Sequence, residues 1–184
     1  MFWNPTSILI DKVRAGARSD VLIAIDAPIE SLAADGVLRA ETIRPIAQAG
    51  FGIAVRAGAF VPDISTVEAF KAALTSARSI AYSLTGASGL HFLEVIERLG
   101  IADSVKQRAI AIQAGFTAEK IVAGEADMAV QQISELMSIE GIEVAGPFPE
   151  PLQKRTDFSA AVFSEASNPE AALAFVELLA NPAS

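Results

Sequence analysis

The segment 79–100 constrains the fold most, because it reads as a strand, a tight loop and a helix in direct succession. Residues 79–82 have the composition of a short buried strand, and residues 83–88 are small and polar, with glycines around them. Apolar residues then recur at helical spacing, which predicts a helix over about 89–99 that ends at Gly100. Such a helix start is a candidate anion site, although an ordinary strand–helix turn with a Ser or Thr cap gives the same pattern.

Composition excludes several kinds of chemistry. The net charge is −8 and no basic patch is present, so we expect no nucleic-acid partner, and any bound anion must be held by local N–H and hydroxyl dipoles. The chain has no Cys and one His, which leaves no thiolate nucleophile and no Cys- or His-based metal site. We predict no metal and no cofactor, and we expect His91 to be a half-buried surface residue rather than a ligand. No apolar run is long enough to span a membrane.

Strand patterns alternate with helix patterns along the whole chain, which predicts an α/β fold with mainly parallel sheets. The predicted strands are 20–26, 50–58, 79–82, 109–113, 127–132, 144–149 and 157–163. The predicted helices are 8–15, 28–34, 62–74, 89–99, 103–108, 117–122, 133–137 and 171–179. Residues 41–48 are interpreted as a connector. Ser7 or Thr6 is expected to cap the first helix, Ser65 the third, with Glu68 completing a capping box, and Asn168 the last.

Three loops follow strand-like runs and are expected to meet at the carboxyl edge of a sheet, where ligands bind in open α/β folds. They would supply neutral hydrogen-bonding groups from Tyr82, Ser83, Thr85, Ser88, Thr117, Gln131 and Gln132. No Asp, Glu, Lys or Arg lies within these loops, which favours binding over acid–base chemistry. Tyr82 fits a packing residue as well as a ligand contact, and at most one of the two glutamines is expected to face a ligand, because strand residues alternate.

Enzymatic function is disfavoured, and we predict no catalytic residue. The single His lies in a helix with no nucleophile elbow before it, so no Ser–His–Asp set is visible. The loop at 85–89 has neither the Lys of a phosphate-binding P-loop nor the G-x-G-x-x-G of a dinucleotide site.

A family resemblance is carried by several stretches of the chain, which are 13–26, 52–58 with 62–65, 79–83, 86–89, 97–100, 124–134 and the closing segment from Asn168. Together they resemble the bacterial extracellular solute-binding proteins of the type II periplasmic class, in the molybdate-binding-like branch (solute-binding family 11). The resemblance is collinear and covers essentially the whole chain.

The resemblance implies two α/β lobes joined by two crossing strands, near residues 53–56 and 160–162, with the ligand held between the lobes. The first lobe would comprise residues 1–54 plus 159–184, and the second residues 55–158. The first lobe is expected to be incomplete, because the chain resembles the family only from its second strand onward and shows no signal peptide.

The resemblance also implies positions for ligand contacts. Thr6 and Ser7 match a serine-bearing loop at a helix start, and Ala87 with Ser88 matches the contact at a helix start of the second lobe. Phe116 lies near a backbone contact. Gln132, beside Gln131, falls where the molybdate binders have a Tyr, which argues against molybdate or tungstate.

Two functions are therefore expected from the resemblance. The first is the solute-binding component of an ABC-type uptake system, which binds a small oxyanion or carboxylate and partners a transporter permease in the periplasm or outside the cell. The alternative is a truncated or degenerate relative that acts as a ligand-sensing or protein-interaction domain, cytoplasmic if Met1 is the true start. An incomplete first lobe would expose a sheet edge, so we expect a homodimer or a swapped assembly that covers residues 2–3 and 21–25.

Overall fold

The computed structural model describes residues 2–181, and the chain divides into two compact units. Unit 1 is formed by the residues up to Ala49 and from Thr156 onward, and unit 2 by Gly50–Arg155. These limits lie a few residues before those expected from the sequence. Met1 and residues 182–184, at the ends of the expected first lobe, lie outside the described residues. The expectation that the two units act as lobes that hold a ligand stays a prediction.

The described part of unit 1 contains three α-helices and three strand segments. The elements are α1 (Thr6–Arg14), β1 (Val21–Ile25), α2 (Asp26–Ala34), a short 3-10 helix (Ala40–Thr42), the first part of β2 (Arg44–Arg56), β7 (Arg155–Val162) and α8 (Pro169–Leu179). β1 pairs antiparallel with β7, with Val21 opposite Val162. β7 lies between β1 and β2 in the strand order, and a side-chain hydrogen bond of 2.8 Å joins Gln48 to Asp157.

The strands of unit 1 are covered on both faces. Leu22 and Ala24 of β1 are buried in an apolar cluster with residues of α1 and α2. On the other face, Ala160 and Val162 of β7 form a second cluster with α8, and Val21 packs against it. The aliphatic composition and the period-two alternation account for this two-sided burial.

Unit 2 carries the remaining elements. They are the rest of β2, α3 (Val67–Ser76), β3 (Ile80–Ser83), α4 (Ala87–Arg98), α5 (Ala102–Lys106), β4 (Ala109–Ile112), α6 (Glu119–Val122), β5 (Met128–Gln132), α7 (Ile133–Leu136), β6 (Ile142–Pro147) and a 3-10 helix (Glu150–Leu152). β3 pairs in parallel with both β4 and β5, whereas β2 pairs antiparallel with β5 and β6. The α/β fold class is confirmed, and its strand pairing is mixed.

The parallel strands determine where polar groups gather. Because β3 lies between β4 and β5 and runs in the same direction, the carboxyl ends of all three meet at one edge of the sheet of unit 2. Three residues separate the end of β3 from the start of helix α4, which packs against both β3 and β5. The core below this edge is built from aromatic and aliphatic side chains, among them Phe51, Phe70 and Phe92.

Several local predictions were wrong. Residues 44–48 are part of β2 rather than a connector; they alternate between half-buried and exposed, and Pro45 and Gln48 weaken the apolar pattern. Helix α3 is capped by Thr66, whose hydroxyl accepts the N–H of Ala69 at 3.1 Å, while the N–H of Ser65 donates to Asp63.

The third wrong prediction is His91, which is buried with 8% of its surface exposed. One ring nitrogen, Nε2, lies 2.7 Å from the carbonyl oxygen of Leu152, and the ring packs against Phe51 and Phe148. Because a hydrogen bond satisfies this nitrogen inside an aromatic cluster, His91 is a structural residue that ties α4 to the 3-10 helix at Leu152.

Candidate functional site

The start of helix α4 presents unpartnered hydrogen-bond donors. Within the described residues, no acceptor takes the N–H groups of Ala87 or Ser88, the first two residues of the helix. The preceding N–H, that of Gly86, is already satisfied because it donates to the hydroxyl of Ser83 at 2.9 Å. Two free N–H groups at the positive end of a twelve-residue helix form a favourable position for an anion.

Close packing fixes the position of this helix start. Gly89 lies so near the end of β3 that a Cβ added there would be 1.7 Å from the carbonyl oxygen of Ser83. Only glycine permits this approach. The contact holds the N–H groups of Ala87 and Ser88 directly beyond the strand.

The two glutamines at the end of β5 have different roles. Gln131 is 2% exposed, and its side-chain oxygen accepts hydrogen bonds from the N–H of Thr117 at 2.8 Å and from its hydroxyl at 2.9 Å. Gln132 is 4% exposed, but no residue in the described part of the chain hydrogen-bonds its side-chain amide. The amide atoms of Gln132 are not sealed from solvent, so this group is free to meet a ligand.

The structure brings nine of the eleven predicted site residues into unit 2. They lie at or just beyond the carboxyl ends of β3, β4 and β5: Tyr82, Ser83, Thr85, Ala87, Ser88, Phe116, Thr117, Gln131 and Gln132. Thr6 and Ser7 lie in unit 1 as the first residues of α1, where Pro5 occupies the N-cap and no side chain caps the helix. Their expected role as helix caps is wrong, and a shared role with the unit 2 residues stays a prediction.

Within unit 2 the predicted residues separate into supporting and available groups. Tyr82 is 7% exposed and packs against Phe92, with ring centroids 5.7 Å apart, which makes it a core residue. Thr85 is exposed and its hydroxyl donates to the carbonyl oxygen of Gln113 at 3.3 Å. The hydroxyl of Ser88, in contrast, has no partner among the described residues. The available donors are therefore those of Ala87, Ser88 and Gln132.

Sequence analysis missed Glu135, a half-buried acid in the first turn of α7. Burial raises the pKa of this carboxyl to about 7, although hydrogen bonds from the backbone of Gln132 and the side chain of Gln131 act in the opposite direction. Its position in the sequence could have pointed to this residue. Glu135 lies three residues after Gln132, the N-cap of α7, and an acid at that spacing can reach back to the N-cap of its helix.

A cavity of about 430 Å³ lies elsewhere in unit 2, between residues 62–65 and 145–150. Its lining includes Asp63, whose pKa is held low by hydrogen bonds from the backbone and side chain of Ser65, and Glu150. Negatively charged walls disfavour an anion, and none of the predicted site residues lines this cavity. The start of α4 with Gln132 is therefore the better candidate site.

No group of side chains in residues 2–181 has the composition to hold a metal ion.

The two-unit α/β fold and a strand-end site with neutral donors are typical of solute-binding proteins. The family model for bacterial extracellular solute-binding proteins matches residues 2–184, and the chain belongs to this family.

Among individual relatives, an aconitate isomerase from a Pseudomonas species is 35% identical over 164 residues. The match covers 89% of this chain and 62% of that protein, so the chain spans less than two thirds of its length.

Solved structures agree on the fold. The periplasmic molybdate-binding protein of Azotobacter vinelandii superposes with a TM-score of 0.76 at 17% identity, over 98% of this chain and 80% of that one. The PEB3 protein, known from Campylobacter jejuni and solved with L-phospholactate bound, superposes with a TM-score of 0.67 at 14% identity, over 97% of this chain and 80% of that one. No helix in the described residues is long and apolar enough to cross a membrane.

Proposed function

We propose that this chain binds a small carboxylate or oxyanion as the solute-binding component of an ABC-type uptake system. The observation that carries the proposal is the set of unpartnered donors at one sheet edge, formed by the N–H groups of Ala87 and Ser88 and the amide of Gln132. These groups are neutral, which suits an acidic protein of net charge −8, because anion binding then depends on local dipoles. The proposed location is periplasmic or extracellular, with a transporter permease as partner.

A multiply charged carboxylate fits this site better than molybdate does. The family resemblance implies that Gln132 falls where the molybdate binders have a Tyr. Its amide presents both a donor and an acceptor, which suits a ligand with carboxyl groups of mixed protonation. The aconitate isomerase relative, at 35% identity, supports a small carboxylate of this kind.

A panel of ligands in a thermal-shift assay tests the proposal. The panel comprises cis-aconitate, trans-aconitate, citrate, tricarballylate, molybdate, tungstate, sulfate and phosphate. A ligand present at about a hundred times its dissociation constant should add about 2.7 kcal/mol, which corresponds to roughly 5–10 °C at this chain length. Shifts with the tricarboxylates that the Gln132→Ala variant reduces would support the proposal. A cooperative melt unaffected by every compound would refute it and favour the alternative of a sensing or interaction domain.

A second candidate function is isomerisation of a small unsaturated carboxylate. The observations that favour it are the named activity of the relative and an acid with a pKa of about 7, Glu135, three residues after Gln132. Proton NMR of cis- or trans-aconitate incubated with the protein tests it directly. Interconversion that the Glu135→Gln variant abolishes would establish an enzyme. Binding without interconversion would support the expectation from the sequence that the chain has no enzymatic activity.

Self-association through unit 1 is a further part of the proposal. Among residues 2–181, β1 pairs with β7 on one side only, and Ile23 on β1 is 39% exposed. Phe2 and Trp3 are 70% and 61% exposed, which is unusual for large aromatic side chains. Light scattering at micromolar concentration should detect a dimer that Trp3→Ser weakens, and a monomer would refute this part.

A further inference from the structure

Ser83, the last residue of β3, makes two contacts with the start of helix α4. Its hydroxyl oxygen accepts the N–H of Gly86 at 2.9 Å, and its carbonyl oxygen lies in the space that a Cβ on Gly89 would need. Ser83 is 9% exposed, so its hydroxyl is largely shielded from water. One strand residue therefore holds both the N-cap of α4 and the third residue of the helix.

The cap of α4 leaves a specific pair of donors free. Gly86 is the N-cap and has no side chain, so it cannot take the first N–H groups of the helix as Ser, Thr or Asp would. Its carbonyl oxygen accepts the N–H groups of Gly89 and Leu90, both at 3.1 Å. Of the five successive N–H groups that begin at the N-cap, only those of Ala87 and Ser88 lack an acceptor in the described part of the chain.

The orientation of Gly86 determines where these donors point. A peptide group is planar and trans, so the carbonyl of Gly86 and the N–H of Ala87 point in opposite directions. Because that carbonyl is directed into the helix by its two hydrogen bonds, the N–H of Ala87 is directed out of the helix end. The hydroxyl of Ser83 holds the N–H on the other side of Gly86, which keeps this residue in its extended conformation of φ −76° and ψ 151°.

Other contacts hold the loop before α4 but stop short of the N-cap. The N–H of Leu84 and the hydroxyl of Thr85 donate to backbone carbonyls at and just after the end of β4, at 2.9 Å and 3.3 Å. Within residues 2–181, Ser83 supplies the one side-chain hydrogen bond to Gly86. The conformation of the N-cap therefore depends on the hydroxyl of Ser83.

We propose that Ser83 is the positioning residue of the anion site, which fixes Gly86 so that the N–H groups of Ala87 and Ser88 are in place before an anion binds. This inference rests on the proposed function, because it requires an anion at this site. Donors that are already in place lower the cost of ordering that binding otherwise carries. The side chains of Ser88 and Gln132 support a ligand here independently, since they are 3% and 4% exposed and have no hydrogen-bond partner among the described residues.

A purely structural role for Ser83 makes a different prediction. In that case Ser83→Ala would lower stability, as the loss of any such hydrogen bond does, but the folded variant would bind with unchanged affinity. Ser79 provides the matched control, because its hydroxyl accepts the N–H of Asp127 at 3.1 Å next to the opposite end of β3. Ser79→Ala therefore removes a comparable hydrogen bond away from the candidate site.

The experiment is isothermal titration calorimetry of trans-aconitate with wild type, Ser83→Ala and Ser79→Ala, together with urea denaturation of each. If another compound of the ligand panel gives a larger thermal shift, that compound replaces trans-aconitate. Ser83→Ala should bind about tenfold more weakly than wild type, whereas Ser79→Ala should stay within about twofold of it, although both variants lose stability. Amide exchange measured by NMR without ligand gives a second readout, since the N–H of Gly86 should exchange faster in Ser83→Ala and stay protected in Ser79→Ala.

The possible outcomes separate this inference from the proposed function. Equal affinities in Ser83→Ala and Ser79→Ala would overturn the positioning role and leave the proposed function standing. Unchanged exchange of the Gly86 N–H in Ser83→Ala would also overturn it, because the hydroxyl would then not hold the N-cap. If no compound of the ligand panel binds wild type, the proposed function fails and the positioning role fails with it.

Discussion

The side-chain oxygen of Gln131 accepts two hydrogen bonds from one residue, Thr117, whose N–H lies at 2.8 Å and whose hydroxyl lies at 2.9 Å. Thr117 is fully buried, so this glutamine satisfies a backbone donor that has no access to water. The next residue, Gln132, has no side-chain partner among the described residues. Adjacent residues of the same type therefore have opposite roles, one in the structure and one available to a ligand.

Substituting each glutamine in turn should separate these roles. Gln131→Ala leaves the buried N–H of Thr117 without an acceptor and should lower the free energy of unfolding by about 1–3 kcal/mol. Gln132→Ala removes no hydrogen bond within the protein, so its cost should stay below about 1 kcal/mol, while affinity for a carboxylate should fall by up to about tenfold. Urea denaturation and calorimetry measure the two quantities. A larger stability loss in Gln132→Ala would contradict this assignment.

The contact between Gly89 and the end of β3 should be intolerant of any side chain. A Cβ at this position would overlap the carbonyl oxygen of Ser83, which is backbone and cannot rotate away. Gly89→Ala should therefore cost about 3 kcal/mol or more, because α4 must shift. Leu90→Ala is the matched control, since Leu90 is 51% exposed on the same helix, and it should cost less than about 1 kcal/mol. Similar denaturation midpoints for the two variants would show that α4 is free to move.

Stability should depend on pH through Glu135 even without a ligand. The folded protein keeps the proton up to about pH 7, whereas the unfolded chain releases it near its ordinary value of about 4.3. Between these values the folded state binds more protons, so the free energy of unfolding falls as pH rises, by up to about 3 kcal/mol, and levels off above about pH 7.

Glu135→Gln should remove this decline. The variant should match wild type near pH 4 and exceed it in stability near pH 8, because the amide carries no charge to bury. Urea denaturation at intervals between these values provides the measurement, with Glu140→Gln as the control. Parallel curves for wild type and Glu135→Gln would show that the carboxyl titrates at its ordinary value.

Sequence reasoning predicted the elements whose signals are local. The Asn168 cap of the last helix is confirmed, since its side chain accepts the N–H of Ala171 at 3.1 Å. The strand–loop–helix around α4 is confirmed too, although the helix begins at Ala87, two residues earlier than predicted. In both cases the residues that determine the structure lie within a few positions of one another.

What the sequence did not predict depends on contacts between distant residues. The role of Gln131 is determined by Thr117, fourteen positions away, and the burial of His91 by Leu152, sixty-one positions away. The first half of β2 has too weak an apolar pattern to be recognised as a strand on its own, and its strand neighbour in unit 1 is β7, more than a hundred positions away. Residues so far apart in the sequence come into contact only when the chain folds, so local sequence patterns do not reveal them.

Removing a single N–H group tests the anion site at α4 most directly. Ala87 is the first residue of the helix, where proline is well tolerated, and Gly86 before it has φ −76° and ψ 151°, a conformation that the residue before a proline prefers. Ala87→Pro should therefore change the free energy of unfolding by less than about 1 kcal/mol. It deletes one donor to the bound anion and should weaken binding by about ten- to a hundredfold, as expected for a hydrogen bond to a charged group. Unchanged affinity in a folded Ala87→Pro variant would place the anion elsewhere.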